Sequence, residues 1–164
     1  MKSGFILICS LFVFMYPSTL WTLEIRIIDI DTIELEGAKV RLHGLDAPEM
    51  GQKCEDIDFK MYHCGVYARD ALQALVEAMP GEMVQCQYTG KDFYDRLIGE
   101  CSLGKININM WLVENGWALA YRKYSKKYVE NENIAKSNRV GMWRGKFVEP
   151  WNWRRGKRLH SETN

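Results

Sequence analysis

The chain has 164 residues, 47% of them hydrophobic and 12% aromatic, with 22 lysines and arginines against 21 acids for a formal net charge of +1. That length can bury one sizeable core and excludes two ordinary domains. The near-neutral balance excludes bulk charge as an argument for a nucleic-acid partner.

In chain order, Lys2 is followed by the apolar run Gly4 to Tyr16 and then by Pro17 and Ser18. A basic start, an apolar stretch and a small polar stop read as a secretory signal peptide, and the run is shorter than the roughly 20 residues of a spanning helix. Residues 1–21 are expected to direct export to a periplasm or the medium. No clean small-x-small site closes the segment, so retention as an N-terminal anchor stays open. Its removal takes away Lys2 and no acid, which leaves a formally neutral remainder.

Residues 22–28, "TLEIRII", alternate Leu23, Ile25 and Ile27 with polar neighbours, the period of a half-buried strand. "TIELEGAKVRLHGL" continues with Ile33 and Leu35, a turn at Gly37, then Val40 and Leu42, which completes a three-stranded meander. After a loop over residues 50–62, Val66, Leu72, Leu75, Val76 and Met79 recur at helical spacing until Pro80-Gly81 ends the pattern. Strand composition returns near 83–89 and 96–102 on either side of the turn-rich "GKDFYD". Two further helices are predicted, one closed by Gly116 and one by Gly141.

Five strands with an inserted helix, about three helices in all, fit an α+β, mainly β chain. The matching architecture is a five-stranded, partly open Greek-key barrel of the oligonucleotide/oligosaccharide-binding type. Other small barrels and α+β sandwiches fit the same string. Residues 22–153 form the domain on this reading, and 154–164 a basic tail.

Cys54, Cys64, Cys86 and Cys101 remain after the signal segment, an even count in an oxidising compartment. Four cysteines allow three connectivities; Cys86 with Cys101 across adjacent strands and Cys54 with Cys64 around a loop is the expected pairing. A zinc site at His63 and Cys64 lacks CxxC spacing. Arg144, Lys146, Arg154, Arg155, Lys157 and Arg158 crowd the C-terminal end, as a solvated tail or a phosphate-attracting patch.

The chemistry concentrates in "DIDTIELEGAKVRLHGLDAPE", residues 29–49. Asp31 and Asp46 fall at strand ends where a meander can bring them together. Two unpaired carboxylates repel, so a cation best stabilises them, and oxygen-only donors select a hard ion such as Ca²⁺ or, less comfortably, Mg²⁺. Glu49, just past Asp46, is placed to take a proton from water. The planar forks of Arg41 and Arg96 match pairs of phosphate oxygens. Strict alternation points Arg41 away from Asp46, so Arg41 must reach around the rim or its strand must bulge. Singly, each residue has a plainer reading: an Asx turn at Asp46, a surface acid at Glu49, a pair of Arg41 with Glu34 or Glu36.

Together, "DIDTIELEGAKVRLHGLDAPE", "DFYDR" and "NGWALAY" resemble the staphylococcal nuclease (thermonuclease) family over about residues 23–153. The resemblance implies that Asp31, Asp46 and the carbonyl of Ala47 hold Ca²⁺, that Glu49 is the general base, and that Arg41 and Arg96 bind the scissile phosphate. It also implies cleavage of DNA and RNA at the 5′-oxygen to leave 3′-phosphate ends. Tyr94 matches the aromatic of the family's arginine motif, and Tyr121 and Tyr124 approximate its nucleotide-contacting tyrosines. A monomer with no protein partner is expected. Two positions depart from the family pattern. Ile30 stands where the family has glycine, which would strain the calcium loop if a positive φ is needed there, and Asp95 replaces a frequent glycine before Arg96. The alternative class is a catalytically inactive nucleic-acid-binding barrel, with Trp143, Trp151 and Trp153 as binding residues rather than anchors of the last segment. An interaction domain reusing the barrel would leave the acids and arginines unexplained.

Overall fold

The computed structural model describes residues 25–163; the apolar N-terminal segment lies outside them. Strands β1 (Ile25–Asp29), β2 (Thr32–Leu35) and β3 (Ala38–Leu42) form the antiparallel meander, with Ile27 opposite Ile33 and Ile33 opposite Val40. After the two-residue β4 (Leu45–Asp46) the chain makes β5 (Lys53–Glu55), β6 (Met61–His63) and helix α1 (Cys64–Glu77). The long hairpin β7 (Val84–Lys91) and β8 (Leu97–Leu103) follows, then β9 (Ile106–Asn107), α2 (Ile108–Glu114), β10 (Leu119–Ala120) and α3 (Val129–Asn138). The chain closes with a 3₁₀ turn at Gly141–Arg144 and two four-residue helices, α4 (Pro150–Trp153) and α5 (His160–Thr163).

The main sheet runs β1-β2-β3-β8-β7, with β9 beside β8. Its single parallel pairing, β3 with β8, curls the meander against the second hairpin and makes the mixed, partly open barrel expected for the α+β class. Ile33, Val40, Leu42, Leu103 and Cys101 point inward and are at most 1% exposed, and Ala68 and Leu72 of α1 and Leu112 of α2 pack into the same core. Burying each such Leu or Ile contributes about 1.5–3 kcal/mol. α2 begins where the Asn107 side chain accepts a hydrogen bond from the backbone N–H of Met110 at 2.8 Å.

Beyond the expected five strands and three helices, the structure adds the short elements β4, β9, β10, α4 and α5 and one hairpin. The segment read as a loop over 50–62 contains the β5–β6 hairpin, with Cys54 opposite Tyr62. No apolar alternation marks it, because a covalent bond and local polar contacts hold it instead. Cys54 is bonded to Cys64, the Asp56 carboxylate accepts from the N–H groups of Asp58 and Lys60, and Glu55 pairs with Lys146 through both backbone and side chain. The other bridge, Cys86–Cys101, joins directly opposed residues of β7 and β8, so both disulfides follow the expected pairing and Cys64 is not a zinc ligand. Around Cys54 and Cys64 lies a second apolar cluster of Leu119 and Met142 with Trp143, Phe147 and Trp151 against it. Trp143 and Trp151 therefore anchor the last segment.

Two glycines are dictated by position. Gly44, at φ +78°, turns the chain between β3 and β4 against the ring of Tyr128. Gly65, the second residue of α1, lets the helix abut the backbone that carries Glu49: a Cβ there would stand 2.1 Å from the Glu49 carbonyl oxygen.

β10 pairs with β4, placing Leu119 opposite Asp46 and Ala120 opposite Leu45. Glu132 of α3 supports this small sheet: its carboxylate, 1% exposed, accepts from Ala120 N–H at 3.1 Å, from Arg122 at 2.5 Å and from Lys136 at 2.8 Å. Burial opposes the ionised form of Glu132, but the two cations outweigh it and hold its pKa below the usual value. Glu132→Gln is expected to lower unfolding stability at neutral pH by about 1–3 kcal/mol, read by urea denaturation. A depressed folded-state pKa gives stability that is present above the unfolded value and lost as pH falls through the folded one. The gap between wild type and variant should therefore close on acidification below the ordinary carboxylate range.

Candidate active site

A cavity of about 680 Å³ opens at the barrel rim, and Asp31, Arg41, Glu49 and Arg96 all contribute to its wall. Asp31 sits in the turn between β1 and β2, where the Asp29 side chain accepts from its N–H at 3.1 Å. The Asp31 carboxylate accepts from Thr32 Oγ1 at 2.9 Å and from Arg41 Nη1 at 2.5 Å. The other arm of Arg41 reaches Asp46 Oδ1 at 3.5 Å. Arg96 is held at the β7–β8 turn by Asp92, whose Oδ2 accepts from Nε at 2.8 Å, while its Nη1 donates to Thr32 Oγ1 at 3.1 Å. Thr32 thus links the two arginines' surroundings through one hydroxyl.

Arg41 reaches Asp46 without a bulge in β3. Strict alternation holds only along one continuous strand; β3 ends at Leu42, and the turn at His43-Gly44 resets the parity before β4. Asp31 likewise belongs to a turn, not to the face of Ile33, and its carbonyl accepts from Leu42 N–H at 2.8 Å. The alternative partner Glu34 is taken by Arg26 across the hairpin. Ile30 needs no glycine backbone. Among the described residues the non-glycines at positive φ are Glu36, Phe59, Asp95 and Arg139, and Ile30, 1% exposed, inserts into the main core. Asp95 does adopt φ +61°, and its side chain pairs with Lys91 at 2.7 Å.

Tyr94, Tyr121 and Tyr124 also line the cavity; Tyr94 and Tyr124 are exposed and Tyr121 stacks in parallel on Trp151 at 5.6 Å. Rings with open faces at the mouth of an arginine-lined pocket can stack on bases.

Sequence reasoning missed Arg154, assigned to the basic tail. From the end of α4 its Nη2 donates to both oxygens of Asp46, at 2.8 and 2.7 Å, and its Nη1 to Glu49 Oε1 at 2.8 Å. The sequence separation of 108 between Arg154 and Asp46 leaves no local spacing that could reveal the pair; the only signal is "EPWNWRR", a proline-started turn with apolar anchors ahead of an arginine. Elsewhere in the basic stretch Lys146 serves Glu55, and Arg158 lies over the Trp153 ring.

Asp29, Asp31, Glu49 and Asp92 line the cavity, and Asp46 lies buried behind its guanidinium groups. Burial, then the charge of Asp31, pushes Asp29 up to about 6. Burial also raises Asp46, although Arg154 and Arg41 pull the other way. Arg41 and Arg154 are themselves held protonated by these acids against the opposing effect of burial. Negative charge is in excess, the condition a divalent cation relieves. Among the described residues no group of three or more His, Cys, Asp or Glu side chains is arranged around a metal position. The donors on offer are the two carboxylates that converge on Arg41, with Ala47 in the wall beside them. That hard, oxygen-only set fits Ca²⁺, which completes its shell with carbonyls and water.

A small mixed barrel that brings acids and arginines together at its rim can hold an anion through its guanidinium groups and a hard cation through its carboxylates. Residues 39–145 match the family model described as staphylococcal nuclease homologue. The chain is 38% identical over 124 residues to a succinoglycan biosynthesis protein ExoI of Rhizobium meliloti, covering 74% of this chain and 63% of that protein. It is 30% identical to an uncharacterized endonuclease of Escherichia coli, over 90% of this chain and 95% of the other, and 31% identical to a micrococcal nuclease of Shigella flexneri, over 82% and 80%. The chain spans less than two thirds of the Rhizobium relative, and 23% and 29% of two rice staphylococcal-like nucleases that it also matches. The chain belongs to the staphylococcal nuclease family.

Proposed function

We propose that the protein is a Ca²⁺-dependent nuclease that hydrolyses phosphodiester bonds of DNA and RNA with little sequence preference. The observation that carries this reading is the convergence of Asp31, Arg41, Glu49 and Arg96 on one cavity, with Asp46 directly behind it. Its family membership and the names of its relatives support the same class.

Asp31, Asp46 and the carbonyl of Ala47 would hold the cation, which would supply positive charge against the phosphoryl oxygens. Glu49 accepts a proton from a water as that water's oxygen bonds to phosphorus. Arg41 and Arg96 donate to the non-bridging oxygens as their charge grows, and the bond from phosphorus to the 5′-oxygen breaks, the leaving oxygen taking its proton from solvent water. The exposed rings of Tyr94 and Tyr124 stack on bases without reading their edges, which accounts for weak sequence preference. Ile30 removes the main reason for an inactive barrel, since its backbone is unstrained. Two disulfides suit an exported protein, periplasmic or secreted, and a monomer suffices for the site.

The test is residues 22–164 incubated with single-stranded DNA, duplex DNA and RNA, in calcium or in a chelator. Internal cleavage ending in 3′-phosphates and abolished by chelation is expected; cleavage that survives exhaustive chelation overturns the calcium requirement, and binding without cleavage in calcium overturns the enzyme.

A further inference from the structure

Asp46 is wholly buried and is not part of the cavity wall; what faces the cavity in front of it is guanidinium. Both of its oxygens are engaged by one arm of Arg154, and Arg41 approaches Oδ1 as well. The other arm of Arg154 holds Glu49. A cation that ligates Asp46 therefore has to share oxygens that already accept from guanidinium, and it has to lie close to a fixed positive charge.

We propose that Arg154 is the resident counter-ion of the cation cradle: a divalent ion reaches Asp46 by displacing the Arg154 guanidinium, and the same displacement releases Glu49 from its ion pair. This rests on the assignment of Asp31 and Asp46 as cation ligands. Arg154 is then a positioning residue that couples cation binding to the availability of the base. In the absence of the ion it satisfies two acids that would otherwise repel each other; in its presence it yields Asp46.

The surroundings suit a side chain that moves on a backbone that does not. Trp151 stacks on Tyr121, Gln52 Nε2 donates to the carbonyl of Val148 at 2.6 Å, and Arg154 N–H donates to the carbonyl of Pro150 at 3.0 Å, so the segment is pinned on both sides of α4. The Arg154 side chain itself is 37% exposed, which leaves its long stem a way out to solvent. A cation of double charge on Asp31 and Asp46 repels a guanidinium at bonding distance from the same carboxylate, and that repulsion drives the exchange.

Calorimetric titration of the purified protein with Ca²⁺ alone, without nucleic acid, tests this. Arg154→Met, which keeps length and removes charge, is expected to bind Ca²⁺ at least about ten-fold more tightly than wild type. Arg154→Lys is expected to fall between them, because one ammonium cannot span both acids. Arg155→Met, one residue on and away from the acids, should leave affinity unchanged and controls for lost charge in general. Thermal melting without calcium should show a lower midpoint for Arg154→Met and a larger upward shift on adding the ion. If Arg154→Met does not fold, the comparison of Arg154→Lys with wild type carries the test. Equal or weaker Ca²⁺ binding in the folded Arg154 variants overturns the inference while the cation site stands. Binding by neither wild type nor variant overturns the cation site and this inference together.

Discussion

Glu49→Gln is expected to lower turnover by about 10² to 10⁴ while leaving nucleic-acid affinity nearly unchanged. Glutamine occupies the same volume and still offers an oxygen to Arg154, whose Nη1 lies 2.8 Å from Glu49 Oε1. It cannot take a proton at neutral pH, so only the step that needs a base should suffer. The backbone at this position is also indifferent to the change. The Glu49 carbonyl accepts from Gln52 N–H at 2.8 Å, and its N–H donates to the Gln52 side chain at 3.4 Å. Single-turnover kinetics beside a binding isotherm separate the two effects. Undiminished turnover would move the base to another group, and a parallel loss of affinity would make Glu49 a binding residue.

Arg96→Lys is expected to cost about 10² to 10³ in kcat with a smaller change in substrate affinity. The guanidinium is fixed from two sides, Nε and Nη2 on Asp92 and Nη1 on Thr32, and its position is set before substrate arrives. Lysine keeps the charge and loses that two-sided fixation, so it can attract a phosphate without holding a donor where charge accumulates. The loop should survive the change, because Asp92 Oδ1 also accepts from the N–H groups of Tyr94 and residue 96 at 2.9 and 3.0 Å. Full activity in a folded Arg96→Lys protein would refute the assigned role. Equal losses of kcat and affinity would point to simple attraction.

The strands of the meander were legible because their cause is local: Ile33 and Val40, both wholly buried, alternate in the sequence with polar neighbours. The helix over Cys64–Glu77 announced itself in the same way through Leu72 and its spaced partners. The β5–β6 hairpin did not, because a disulfide and an Asx-type turn at Asp56 hold it and neither has a hydrophobic period. At the site, the acids and arginines within twenty residues of one another could be grouped from their letters, yet the facing of Arg41 could not. Its orientation depends on a turn at Gly44 that interrupts the strand, and parity carried through a turn gives the wrong side. Arg154 lay further out of reach, since nothing short-range connects it to the carboxylates it meets; packing of Trp151 on Tyr121 brings it there. Ile30 shows the opposite error. A departure from a family's glycine suggested strain, while the backbone there is ordinary and the side chain fills the core.

The missing side chain at Gly65 bears on how relatives of this protein should be judged. Because the start of α1 leans on the peptide of Glu49 with no room between them, a homologue could retain each acid and each arginine and still be inert, its base pushed off the mark by a methyl group sixteen positions away. A census of the charged letters would count such a protein as working, whereas a tally that included this one silent position would not.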